Sequence, residues 1–291
     1  MKIMKFNNFP IGIFDSGLGG LTVFKEIRKI LPYEDLIYFG DTARVPYGNK
    51  SKNTVIRYSN EILEFLIKKR VKIVIVACNT SSSLALDNLR ERAVVPVFGV
   101  IEPGAQKAVQ VFSGKNIAVI GTSATIKSKA YSRAINREIE HLNGDRGYID
   151  HTFKIIEQAC PLFVPLVEED FSNEEILRNI ISYYLNPIVS KRPSCIVLGC
   201  THYPILKDFI LEAMGTNVEI IDSGIETAKV VKCYLGENGM LKDRKEVGSE
   251  SFFVSDGMGR LKELGKKFLG INMRIEDIHV VEDVSLQEVR V

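Results

Sequence analysis

Two cysteines stand where a thiol can do chemistry. Cys78 follows the apolar run Ile73–Ala77, and Cys200 follows Ile196–Gly199. Hydroxyl residues come next in both places, Thr80 to Ser83 after the first and Thr201 after the second. A helix starting at such a point offers free N–H groups and partial positive charge. That setting is expected to lower a thiol's pKa and to hold a carboxylate. Two thiols facing each other across a cleft suit one reaction above others. One thiolate removes a proton from carbon, the other thiol returns a proton on the opposite face, and the stereocentre inverts. Asp15 and His202 are the candidate partners, one for each thiol. Cys200-x-His202 is a lone pair of ligands with no second cluster to complete it, so no metal site is expected. Cys195 lies inside an apolar run, and Cys160 and Cys233 have no polar company; all three are expected in the core.

The elements that must hold these residues read as alternating strands and helices. Ile11–Phe14, Leu36–Phe39, Ile73–Ala77, Pro96–Ile101, Ile117–Ile120, Cys195–Leu198, Val218–Ile221 and Phe252–Val254 are short continuous apolar runs, the pattern of parallel strands covered on both faces. Between them, Leu21/Phe24/Ile27/Leu31, Ile62/Phe65/Leu66 and Ile176/Ile180/Tyr184 recur at helical spacing. This order predicts an α/β fold with parallel sheets, whose ligands sit beyond the carboxyl ends of the strands. Leu142–Lys154 has the weakest pattern, with Asn143, Gly144 and Gly147 as turn formers.

The polar strand ends repeat. Asp15-Ser16-Gly17 corresponds to Gly121-Thr122-Ser123, Cys78-Asn79-Thr80 to Cys200-Thr201-His202, and Glu102-Pro103-Gly104 to Asp222-Ser223-Gly224. Any α/β chain offers strand-then-loop pairs, but the matched order and the paired cysteine favour a true repeat. The fold class expected is two pseudo-symmetric parallel-sheet α/β domains with the active site in the cleft between them. The repeat ends after Glu102, and Phe252–Val254 still needs a sheet to join. The first domain is therefore expected to be discontinuous, 1–102 and 225–291, with 103–224 as the second.

Composition narrows the function classes. With 291 residues, 45% hydrophobic and 25% charged, the chain reads as globular and large enough for two domains. Lys+Arg is 38 against Asp+Glu 36, so no basic excess calls for nucleic acid. No apolar run approaches the ~20 residues of a spanning helix. The opening residues lack the apolar stretch and cleavage site of an export signal, so a cytoplasmic protein with reduced thiols is expected.

The residues that carry the chemistry also carry a resemblance. IGIFDSGLGG (Ile11–Gly20), YFGDTARVPYG (Tyr38–Gly48), IVACNTS (Ile75–Ser81), ACPLFVPLVE (Ala159–Glu168) and LGCTHYP (Leu198–Pro204) together resemble the glutamate racemases of the aspartate/glutamate racemase superfamily. The resemblance implies interconversion of L- and D-glutamate without cofactor, supplying D-glutamate for peptidoglycan, by an enzyme that is usually a homodimer. It implies catalytic thiols at Cys78 and Cys200, with Asp15 assisting on the Cys78 side and His202 and Glu168 on the Cys200 side. It places substrate contacts at Asp15 and Ser16, Tyr47 and Gly48, Asn79 and Thr80, and Thr201 and His202.

Blander readings stand beside these. Gly17, Gly19 and Gly20 allow close backbone approach to a ligand, but the run lacks the spacing and lysine of a nucleotide loop. Asp15 could cap a helix, Pro46-Tyr47-Gly48 is a turn by composition, Ser81–Ser83 could satisfy helix amides, and Glu168-Glu169-Asp170 taken alone is a solvated surface. His141, His151 and His279 read as structural. Other substrates remain open: aspartate, a hydantoin, or a malonate to be decarboxylated. The last needs only one cysteine. A two-lobed amino-acid sensor would suit the architecture but has no use for two thiols.

Overall fold

The computed structural model describes residues 6–146, 153–270 and 277–281. The strands are β1 (Ile11–Asp15), β2 (Leu36–Gly40), β3 (Ile73–Val76), β4 (Val97–Gly99), β5 (Ile117–Gly121), β6 (Ile155–Ala159), β7 (Cys195–Gly199), β8 (Glu219–Asp222), β9 (Glu250–Val254) and β10 (Ile278–Val280). They form two sheets, β10-β9-β2-β1-β3-β4 and β6-β5-β7-β8. Every pairing is parallel. Such sheets need both faces covered, and β1, β5 and β7 are buried at every position.

The order β2-β1-β3-β4 is the order β6-β5-β7-β8, strand for strand. The repeat read from the sequence pairs β1 with β5, β3 with β7 and β4 with β8. Its fourth pair, β2 with β6, escaped because Ile155-Ile156-Glu157-Gln158-Ala159 carries polar residues at a sheet edge. β10, a three-residue edge strand, escaped too.

Twelve helices among the described residues cover the sheets: α1 (Leu21–Ile30), α2 (Lys52–Lys68), α3 (Asn79–Leu84), α4 (Leu86–Arg92), α5 (Ile101–Gln110), α6 (Ser123–Ser128), α7 (Ala130–Arg146), α8 (Phe163–Glu168), α9 (Glu174–Val189), α10 (Lys207–Met214), α11 (Ser223–Glu237) and α12 (Met258–Leu269). None is long and apolar enough to cross a membrane. Helix α1 buries Leu21, Phe24 and Ile27, with the Phe24 ring 5.0 Å from Phe252 and 6.1 Å from Tyr38. Each such side chain contributes ~1.5–3 kcal/mol by leaving water. Helix α11 packs between α1 and α5, so the apolar interior passes from one sheet to the other.

Three expectations need correction. Pro96–Ile101 is a strand only over Val97–Gly99; Ile101 already starts α5, whose first turn accepts Pro103 because a missing N–H costs nothing there. In α9 the period is right and the buried face is wider than the row read from the sequence: Leu177, Ile181, Leu185 and Ile188 are buried, Ile180 and Tyr184 pack half-buried against the same core, and only Ile176 of that row is exposed. Asn143 and Gly144 lie within α7 rather than in a turn, whereas Gly147 and His151 fall outside the described residues. His141 and His279 are exposed, His279 stacking on Phe253.

One buried charge pair ties distant segments together. Lys72, with no exposed surface, donates to Glu34 Oε2 at 2.5 Å and to the carbonyls of Met240 at 2.7 Å and Asn7 at 3.2 Å.

Candidate active site

The carboxyl ends of strands from both sheets open onto one cavity of about 320 Å³, at the small end of the range for ligand sites. The larger sheet contributes Ser16 and Gly17 after β1, the Val45–Asn49 segment after β2, and Cys78, Asn79 and Thr80 after β3. The smaller sheet contributes Thr122 and Ser123 after β5, Cys160 and Pro161 after β6, and Cys200, Thr201 and His202 after β7. Val164, Pro165, Glu168 and Glu169, from α8 and its end, close one wall.

Cys78 caps α3: its sulfur accepts from the Ser81 N–H at 3.5 Å and lies 3.4 Å from Ser16 Oγ. The expectation of a lowered pKa at this thiol is overturned. Burial and the charge of Asp15 push it up to about 11, against the bonds from Ser16 and Ser81. A six-residue helix offers too little field to offset desolvation. A thiol shifted in this direction keeps its proton at neutral pH.

Asp15 is wholly buried and stands behind the cavity wall rather than on it. Its Oδ2 accepts from Gly17 N–H at 3.0 Å, and its Oδ1 from Thr201 Oγ1 at 3.5 Å. The carboxyl thus links the two lobes beneath the site. Burial raises its pKa, opposed by His202 and by the Gly17 and Gly20 amides.

Cys200 has a different neighbour. His202 Nδ1 lies 3.8 Å from Cys200 Sγ, and its Nε2 is 2.9 Å from Glu168 Oε1. The imidazole is buried, and Phe268 meets it edge-on at 5.4 Å. Burial lowers the His202 pKa, but the bonds to Cys200 and Glu168 outweigh it and raise it to about 10. Burial would raise Glu168; its bond to His202 and the charges of His202 and Arg260 hold it below its usual value. Thr201 Oγ1 also approaches His202 Nδ1, at 3.5 Å.

The remaining predicted positions fall around the same space. Tyr47 is buried and donates to Asp41, which also pairs with Arg44 and accepts from Ser255. Asn79 Oδ1 accepts from Tyr131 Oη at 2.7 Å, and Thr80 Oγ1 lies 3.0 Å from Thr122 Oγ1 on the other lobe. Gly48 packs on Thr122, which a Cβ at that position would approach to 3.1 Å. Gly19 is tighter still: a Cβ there would stand 2.4 Å from the His202 ring. By contrast, Ser81–Ser83 do not line the cavity. Their hydroxyls bond to Ser59, to the Val76 carbonyl and Val100 N–H, and to the Thr80 carbonyl.

Cys195 is core, as expected. Cys233 is not: it is exposed on α11 beside Glu237. Cys160 is buried but also lines the cavity, and burial with the nearby Cys200 pushes its thiol up. Thr122 and Ser123 also line the cavity, and the sequence signal for them is the repeat that pairs them with Ser16 and Gly17.

Paired parallel α/β lobes, each offering a strand-end thiol to a shared cavity, are the architecture of an amino-acid racemase. The sequence profile of the Asp/Glu/hydantoin racemases matches residues 11–231, and the chain belongs to that family. A glutamate racemase of Geobacter metallireducens is 47% identical over 89% of this chain and 92% of its own. Among solved structures, a glutamate racemase isoform of Bacillus anthracis superposes with a TM-score of 0.88 at 33% identity, covering 97% of this chain and all of that one. The Francisella tularensis glutamate racemase, solved with D-glutamate, gives 0.83 at 36% identity over 94% and 98%.

Proposed function

We propose that this racemase interconverts L- and D-glutamate by two-base proton transfer between Cys78 and Cys200. The observation that carries the reading is one small cavity lined by Cys78 from one sheet and by Cys160 and Cys200 from the other, with an acid–base partner beside Cys78 and beside Cys200. Asp15 assists on the Cys78 side, and His202 with Glu168 on the Cys200 side. Ser16, Tyr47, Gly48, Asn79, Thr80 and Thr201 bind the amino acid. Apart from Tyr47, whose hydroxyl proton goes to Asp41, the polar groups among them are neutral donors, so backbone N–H groups, hydroxyls and the Asn79 amide would hold the carboxylates. The neutral Cys78 thiol suits the proton-donating role as it stands. To act as base it must ionise, and the substrate's own ammonium group supplies a positive charge that favours the thiolate.

No step in this scheme calls for pyridoxal phosphate or a metal. We assign residues 1–102 with 225–291 to one domain and 103–224 to the other; the pairing of β9 with β2 supports this. Both boundaries fall in the first turns of α5 and α11. We read the enzyme as a cytoplasmic homodimer supplying D-glutamate for peptidoglycan.

The test uses both enantiomers of a glutamate analogue with a β-leaving group. Removal of the α-proton drives that group out with its electron pair, so elimination needs one base only. Cys78→Ser and Cys200→Ser should each lower racemisation by ~10²-fold or more, the scale of a lost acid–base group. Each should still process one enantiomer of the analogue, with opposite preference. If both spare the same enantiomer, the two thiols do not flank the α-carbon. Aspartate as competitor in the same chirality-resolved assay tests the substrate.

A further inference from the structure

In the acidic run Glu168-Glu169-Asp170, Glu169 and Asp170 are solvated, as read from the sequence, while Glu168 is largely covered, and all three carboxylates have cation partners. Helix α12 lies against the run and presents two cations seven residues apart, on one side of the helix. Arg260 Nη2 is 2.9 Å from Glu169 Oε1 and 3.5 Å from Glu168 Oε2. Lys267 Nζ is 2.5 Å from Asp170 Oδ1 and 3.1 Å from the Val167 carbonyl. From the same helix Phe268 meets the His202 ring. Helix α12 follows β9 of the larger sheet, whereas Glu168 and His202 follow strands of the smaller one. One lobe therefore reaches over to hold the acid–base apparatus of the other.

We infer that Arg260 is a positioning residue for the Cys200 half of the reaction, holding Glu168 so that its other oxygen stays on His202. The inference rests on the two-thiol reading above. Glu168 has two carboxylate oxygens, and the structure uses both: Oε1 on His202 and Oε2 towards Arg260. A carboxylate at the end of a short helix, about a fifth exposed, has rotamer freedom to leave the imidazole. Arg260 restricts that freedom from the side away from the cavity and does not line the cavity itself. Among the described residues no arginine or lysine pairs with Asp15, which is fixed instead by backbone amides and Thr201 and feels the charge of His202. The device is therefore asymmetric between the two thiols.

The asymmetry makes the test. In racemisation, the forward and reverse kcat/KM values are tied together by an equilibrium constant of one, so a one-sided defect is hidden. Elimination from the two β-leaving-group enantiomers is irreversible and reads each base alone. Arg260→Gln should slow elimination of the enantiomer served by Cys200 about three- to fivefold, the factor a half-exposed ion pair can carry. The loss should fall on kcat rather than KM, and the other enantiomer should be unaffected. Arg260→Lys, which keeps the charge, should retain the wild-type rate. Equal loss with both enantiomers, no loss with either, or a lysine variant as slow as the glutamine one would overturn the inference. Cys78→Ser and Cys200→Ser run alongside identify which enantiomer belongs to which thiol. Should they fail to show opposite preferences, it is the two-thiol reading that falls.

Discussion

Replacing Gly19 with alanine would test how tightly the entry to α1 is fitted to the Cys200 side. The added methyl group would stand 2.4 Å from two atoms of the His202 ring and 2.5 Å from Thr201 Oγ1. Ordinary carbon contacts begin near 3.4 Å, so the surfaces must part by about 1 Å, a displacement that can cost ~10²-fold in rate near reacting groups. The ring cannot retreat freely: Glu168 holds one edge and Phe268 abuts it. Thr201 is held through its carbonyl by Thr22 Oγ1 at 2.8 Å. Overpacking of this kind costs ~1–3 kcal/mol, and each kcal/mol moves the midpoint of a chain this long by ~2–4 °C. Gly19→Ala should therefore melt several degrees lower and lose ten- to a hundredfold in kcat, with circular dichroism unchanged, roughly in line with that 1 Å displacement. The same substitution in a His202→Ala background should cost less stability, because the clashing ring is gone and only the Thr201 hydroxyl remains in the way. A Gly19→Ala enzyme with wild-type kcat, or an equal stability cost in both backgrounds, would refute the close-fit argument.

Two further outcomes follow from charges the fold buries. The His202 pKa is raised to about 10 in the folded protein, so its protonated form contributes stability that is fully present below the unfolded value near 6.5 and is lost as pH rises through 10. Glu168→Gln removes one cause of that rise, and denaturant unfolding from pH 6.5 to 10 should show a shallower decline than in wild type; parallel declines would count against the pair. Lys72→Met leaves Glu34 buried without its partner and should lower unfolding free energy by ~3–5 kcal/mol, while the double variant Glu34→Gln/Lys72→Met should recover part of the loss in urea titrations.

How much of this was legible in the residues depended on whether a property is local. Continuous apolar runs announce buried parallel strands, and β1, β3, β5 and β7 lie close to where those runs stand. Their polar ends repeat in order, which pointed to two similar sheets. β6 was illegible because an edge strand need not be apolar, and Glu157 and Gln158 sit at its centre. Which apolar row of α9 is fully buried was illegible because adjacent rows at helical spacing look alike until they are packed. The pKa of Cys78 depends on how deeply the sulfur is buried, and the sequence records only that a helix begins there. Cys160 and Cys233 read alike as letters, yet one lines the cavity and the other faces solvent. The clasp of α12 on Glu168 joins residues 92 positions apart and has no local signature.

The two chain crossings between the sheets, α5 and α11, lie packed against each other. In mechanical terms they form a double-stranded hinge. A single linker would let the lobes twist and slide as well as part. Two side-by-side helices leave one easy motion, rotation about the line they share. Elsewhere the two sheets' segments meet through side-chain and loop contacts, Gly48 and Thr80 on Thr122 and Arg260 on Glu168. Rotation about the line the helices share would part those contacts and leave the lateral register of the two sheets undisturbed.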